Sequence, residues 1–133
     1  MKLAVCVTGA SGAIYARRLL QLLSGREDCE THLVASANAP FVWESELGEA
    51  MPESFEGVRR WDRHDFRAPF ASGFNPFDAV LVTPCSMSTL ARVANGGGDD
   101  LTSRACEVAL KERRKLVLMV RESPLSLVHL RNM

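Results

Sequence analysis

Short apolar runs alternate with longer amphipathic stretches along the chain. Leu3–Val7 is continuously apolar and ends in Thr8-Gly9, the pattern of a buried strand. From Gly12 to Leu23, Ile14, Leu19, Leu22 and Leu23 fall on one side and Arg17 and Arg18 on the other, which predicts a helix. Thr31–Ala35 reads as a second strand, with Ser36 as the cap of a helix running towards Glu46 and Pro40 in its first turn. Residues 47–57 read as a loop and Val58–Trp61 as a short third strand.

Residues 62–77 hold two Pro, one Gly and four Phe and are expected to form a long apolar loop, a kind of segment that is often functional. Ala79–Thr83 is a strand ended by Pro84, and Ser86–Val93 a helix broken by Asn95-Gly-Gly-Gly98. Asp99 or Asp100 caps the next helix, to Arg114, with Leu101, Ala105, Val108 and Ala109 at core spacing. Leu116–Val120 is the last strand, and Pro124 opens a final helical segment. This alternation predicts an α/β fold: a doubly wound, Rossmann-like three-layer sandwich with a parallel sheet. Ligands of such sheets bind beyond the carboxyl ends of the strands. Thr8–Gly12, Ser36, Pro84–Thr89 and Arg121-Glu122 occupy that edge.

Composition narrows the classes. The 133 residues are 47% hydrophobic and 24% charged, as expected of a single globular domain. Lys plus Arg and Asp plus Glu both number 16, so no cationic excess is available for a phosphate backbone, and nucleic acid is not an expected partner. The first seven residues carry too short an apolar run for a signal peptide or a membrane span, which points to the cytoplasm. Cys6, Cys29, Cys85 and Cys106 form no C-x-x-C pair, and His32, His64 and His129 show no ligand spacing, so no metal is expected.

The chemistry concentrates at two loops. In Thr8-Gly9-Ala10-Ser11-Gly12, glycines let a ligand approach the backbone, and a helix start offers free N–H groups to a phosphate; a tight turn with a capping serine is the plainer alternative. Ala13 and Tyr15 stand where a G-x-G-x-x-G fingerprint needs glycines, and no Gly-Lys-Ser/Thr occurs, so neither a dehydrogenase nor a P-loop is indicated. Pro84-Cys85-Ser86-Met87-Ser88-Thr89 offers hydroxyls and a second helix start at the same edge, or simply an N-cap. Arg104 and Lys111, seven residues apart, share one helix face, which is a solvated face by default. Arg121 can bind phosphate bidentately, Glu122 beside it can exchange a proton, and Glu46 is a second carboxylate within possible reach or a solvated helix end.

Together, Thr8-Gly-Ala-Ser-Gly12-Ala-Ile-Tyr15, Pro84-Cys-Ser86 with Thr89-Leu90, Arg104-Ala105, Val108–Arg114, Leu116-Val-Leu118, Arg121-Glu122-Ser-Pro124-Leu, His129-Leu130 and Asn132-Met133 resemble the UbiX-type flavin prenyltransferases. The resemblance implies an FMN-binding, homo-oligomeric (dodecameric) enzyme. It moves a dimethylallyl group from dimethylallyl monophosphate to N5 and C6 of reduced FMN, and the product serves a UbiD-type decarboxylase, as in ubiquinone biosynthesis. It implies flavin contacts at Gly9, Ala10, Ser11, Ser36, Ser86, Met87, Ser88, Thr89 and Arg121, and prenyl-phosphate contacts at Arg104, Lys111 (from a neighbouring subunit) and Arg121. Ser11, Glu46 and Glu122 take the catalytic roles, with Glu122 passing a proton to the leaving phosphate. Phe66 stands where the family carries a tryptophan as an aromatic wall. Family members continue past His-Leu-x-Asn-Met into a strand, a phosphate-gripping loop and a helix. The chain is therefore expected to be a single FMN-binding domain, residues 1–133, incomplete at its C-terminus, with an FMN-binding module lacking prenyl transfer as the alternative.

Overall fold

A computed structural model describes residues 1–75 and 77–133. The strands are β1 (Lys2–Val7), β2 (Glu30–Ala35), β3 (Val58–Trp61), β4 (Ala79–Cys85) and β5 (Lys115–Val120). The helices are α1 (Ala13–Leu23), α2 (Ala39–Leu47), α3 (Met87–Ala94), α4 (Leu101–Lys111) and α5 (Leu127–Asn132). The strands pair in the order β3-β2-β1-β4-β5, and every pairing is parallel. The doubly wound Rossmann-like layer expected from the alternation is therefore present.

The central strands β1 and β4 are almost continuously apolar because both faces of the sheet are covered there. On one face Leu3, Val5, Val7 and Leu33 pack under α1 and α2, around fully buried Leu20 and Trp43. On the other, Ala4, Cys6, Val34, Val80 and Val82 meet α3, α4 and Phe70 and Phe77 of the segment before β4. Burial in this second core raises the Cys6 thiol to about 12 and the Cys85 thiol to about 11, so both are inert packing groups.

The segment after β3 is less open than its composition predicts. Ala68, Phe70, Ala71 and Phe77 are buried, a 3-10 turn forms at Pro69–Ala71, and Phe74 is left almost wholly exposed. Leu101 N–H donates to Arg63 O at 2.7 Å and Arg104 Nε to Ala71 O at 3.0 Å, so α4 pins the segment. Its aromatic rings close on His32, whose Nδ1 accepts from Trp61 Nε1 at 2.8 Å while Nε2 lies 2.9 Å from Glu30 Oε1.

Several boundaries differ from the sequence reading. Ser36 does not cap α2: its N–H still donates to Val7 O at 2.9 Å, continuing the β1–β2 ladder, and Asn38 holds the N-cap position. Strand β4 passes through Pro84 to Cys85 rather than ending at Thr83. Helix α4 stops at Lys111 rather than Arg114, because Arg113 adopts a positive φ of 54°. Helix α5 starts at Leu127, three residues after Pro124, where Ser126 accepts from His129 N–H. Among the described residues no helix is long and apolar enough to cross a membrane.

Candidate flavin site at the strand switch point

Beyond β1 the chain turns to β2 on one side, and β4 lies on the other. This reversal opens a crevice at the carboxyl ends of the strands. Thr8, buried at the end of β1, ties the two sides together. Its hydroxyl donates to Pro84 O at 2.6 Å and accepts from Ser86 N–H at 3.0 Å. Ser86 in turn caps α3, its hydroxyl accepting from Thr89 N–H at 3.2 Å. Gly9 allows the closest approach across the crevice: a Cβ there would stand 2.6 Å from Asn38 Cβ.

The crevice widens into a cavity of about 390 Å³ lined by Thr8, Gly9, Ser36, Asn38, Arg63, Ser86, Ser88, Thr89, Arg92, Asp99 and Asp100. Five sequence-predicted flavin contacts, Gly9, Ser36, Ser86, Ser88 and Thr89, thus line one cavity. Met87 turns away and packs against the core. Asn38, Arg63, Arg92 and Asp99 were not legible as lining residues. Arg92 carries one usable signal, its i+3 and i+4 spacing from Thr89 and Ser88 on α3.

The start of α1 corrects an expectation. Its N–H groups are not open to a phosphate, because Glu46 of α2 occupies them. Gly12 N–H donates to Glu46 Oε2 at 2.9 Å and Ala13 N–H at 2.8 Å, and Ser11 donates its hydroxyl to Glu46 Oε1. The Ser11 hydrogen bond, then these N–H groups and the nearby Arg121 cation, hold the Glu46 carboxyl below its usual range against partial desolvation. Ser11, Glu46 and Arg121 therefore form one polar group beside the cavity.

The other predicted residues lie elsewhere within one chain. Arg104 and Lys111 share a second groove, of about 340 Å³, with Ser72, Gly73, Phe74 and Glu112. There Lys111 pairs with Glu112, and Arg104 lies 3.5 Å from Glu107. Phe66 is half exposed in a shallow depression with Asp62, His64, Asp65 and Arg67. Glu122 turns back on its own backbone, accepting from Ser123 N–H at 3.1 Å.

Fold and site together define a flavoprotein-type sandwich with its cavity at the switch point. The Flavoprotein family model matches residues 1–132. The flavin prenyltransferase UbiX of Methanocaldococcus jannaschii is 48% identical over 134 residues, an alignment spanning all of this chain and 72% of the relative. A dodecameric FMN-dependent UbiX-like decarboxylase from Escherichia coli O157:H7 superposes with a TM-score of 0.91 at 42% identity, covering 100% of this chain and 72% of that one. AnUbiX, solved with FMN and dimethylallyl pyrophosphate, superposes at 0.87 with 40% identity, covering 99% and 70%. The chain belongs to the UbiX-type flavin prenyltransferases of the Flavoprotein family.

Proposed function

We propose that the chain binds FMN in the switch-point cavity and transfers a dimethylallyl group to it from dimethylallyl monophosphate. The observation that carries this reading is the convergence of Gly9, Ser36, Ser86, Ser88 and Thr89, from three separate strand ends, on one cavity in a chain of this family. The cavity fits the cofactor chemically. Its volume lies within the range of small-molecule sites. Hydroxyls suit a polyol chain, and the α3 N-terminus suits a phosphate.

The dimethylallyl unit would bond to N5 of reduced FMN as the donor's allylic C–O bond breaks, and to C6 at the expense of its own C=C. N5 and C6 each give up a proton, and the former alkene carbon takes one. The donor's allylic C–O bond breaks, and its electron pair leaves with the phosphate. Arg121, with Arg104 and Lys111 brought by neighbouring copies, balances that charge. Glu122 gives the leaving phosphate a proton. Ser11 and Glu46 orient the reacting edge, where the Ser11 hydroxyl has an acceptor on one side and a lone pair free for a second partner. Phe66 offers an aromatic face to allylic positive charge. The product goes to a UbiD-type decarboxylase, as in ubiquinone biosynthesis, in the cytoplasm, and the working form is a homo-oligomer, with the dodecameric relative as its pattern.

A second reading is favoured by one observation: within a single chain, Arg104 and Lys111 line a groove apart from the flavin cavity. A chain unable to assemble would bind FMN without prenyl transfer. The test is anaerobic incubation of the protein and reduced FMN with dimethylallyl monophosphate or pyrophosphate, followed by mass spectrometry of the flavin. The proposal expects flavin heavier by one dimethylallyl unit with the monophosphate. Bound but unmodified FMN with both donors establishes the second reading.

A further inference from the structure

The flavin cavity contains two cations that the flavin and prenyl-phosphate contacts above do not use. Arg63 follows β3 by two residues, and its carbonyl accepts from Leu101 N–H at 2.7 Å, fixing its backbone to the start of α4. Arg92 lies in the last turn of α3, three residues beyond Thr89 and four beyond Ser88, so all three share one helix face, and all three line the cavity. Among the described residues neither arginine has a carboxylate within ion-pair distance, although eight other pairs form. Arg121 is not a lining residue.

We propose that Arg63 and Arg92 clasp the terminal phosphate of FMN between β3 and α3, and so make this chain select phosphorylated over unphosphorylated flavin. The inference rests on the FMN reading above. A phosphate at the start of α3, beside Ser88 and Thr89, would lie on the helix face that carries Arg92, and guanidinium forks match phosphate oxygens in charge and geometry. The remaining charges on the wall sharpen the requirement. Asp100 is buried, and its Oδ1 accepts from Ser103 N–H, whereas Asp99 is exposed at the rim. A phosphate dianion entering the cavity meets these two carboxylates, and the arginines offset their repulsion. Riboflavin, which lacks the phosphate, gains nothing from either cation.

Equilibrium binding of FMN and of riboflavin to the full chain, followed by quenching of flavin fluorescence at two salt concentrations, tests the inference. For Arg92→Ala and Arg63→Ala, FMN affinity is expected to fall by about tenfold or more each, the scale of a charge-assisted hydrogen bond, with riboflavin affinity unchanged. Arg92→Lys recovers part of the loss, and Asp99→Asn tightens FMN alone. Circular dichroism melts identify variants that fail to fold; for any such variant the salt dependence of the wild type decides, since a clasp requires FMN, but not riboflavin, to weaken as salt rises. Equal loss of both flavins, or no loss of FMN in the folded variants, overturns the clasp. Wild-type protein that binds neither flavin overturns the FMN reading itself.

Discussion

The hydroxyl of Thr8 lies 2.6 Å from the carbonyl oxygen of Pro84, across the point where the sheet reverses direction. The Thr8 hydroxyl oxygen also accepts from Ser86 N–H, so one buried side chain sets the spacing between the β1 and β4 loops that frame the cavity. Thr8→Val keeps the shape and removes both hydrogen bonds, leaving Ser86 N–H without this acceptor. A loss of about 2 kcal/mol in urea unfolding is expected, together with weaker FMN binding. Thr8→Ser should retain most of both. A Thr8→Val protein as stable as wild type shows that the bond does not set the frame.

Glu46 gives a pH signature. Its folded-state carboxyl titrates below the ordinary value, first through Ser11 and then through the α1 N–H groups. The cap is therefore in force above the ordinary glutamate range and is lost as pH falls through the depressed folded value. Glu46→Gln keeps an acceptor oxygen for Ser11 but loses the charge at the helix start. Wild type is expected to exceed Glu46→Gln in melting temperature at neutral pH, with the gap closing as pH falls below the ordinary glutamate range and through the depressed folded value. A gap that stays constant with pH removes the charge from the explanation.

Gly9 is required by contact rather than by backbone angle. Gly9→Ala places a methyl group 2.6 Å from Asn38 Cβ, so the β1–α1 and β2–α2 loops must part. Overpacking of this kind costs about 1–3 kcal/mol, and the displaced Ser36–Asn38 wall should lose flavin affinity as well. Gly97→Ala, whose Cβ meets nothing within 4 Å, is the control and should change neither. Equal behaviour of the two variants in flavin titration would remove the close approach from the account of the cavity.

The apolar runs located the sheet well, and Val58–Trp61 forms β3 with the bounds its composition suggested. They did so most clearly for β1 and β4, which are covered on both faces and so have no polar side to confuse the pattern. The misread boundaries were set by interactions between distant segments. Ser36 remains a strand end because Val7 holds it, and α4 closes on a positive φ at Arg113, where no glycine marks the turn. The site was legible where glycine and hydroxyl loops follow strands. It was illegible where helix rotation decides, since i, i+7 spacing puts Arg104 and Lys111 on one face without saying which groove that face lines.

His32 illustrates the same limit, because spacing excluded it as a ligand without showing its structural task. It is buried, and its Nδ1 is the acceptor for Trp61 Nε1, joining β2 to the edge strand β3 two residues before Arg63 of the cavity wall. Acceptance at Nδ1 fixes the neutral ring with its proton on Nε2, directed at Glu30 Oε1 2.9 Å away. His32→Leu leaves the indole N–H without this partner, at an expected cost of about 2–3 kcal/mol in unfolding free energy. Trp61→Phe in the same chain removes the orphaned donor while keeping an aromatic ring against Phe70. The double variant His32→Leu/Trp61→Phe should therefore be more stable than His32→Leu alone, a non-additive result that a double-mutant cycle in urea reads directly. Strict additivity of the two substitutions would mean that the hydrogen bond contributes nothing and that the rings hold β3 by packing alone.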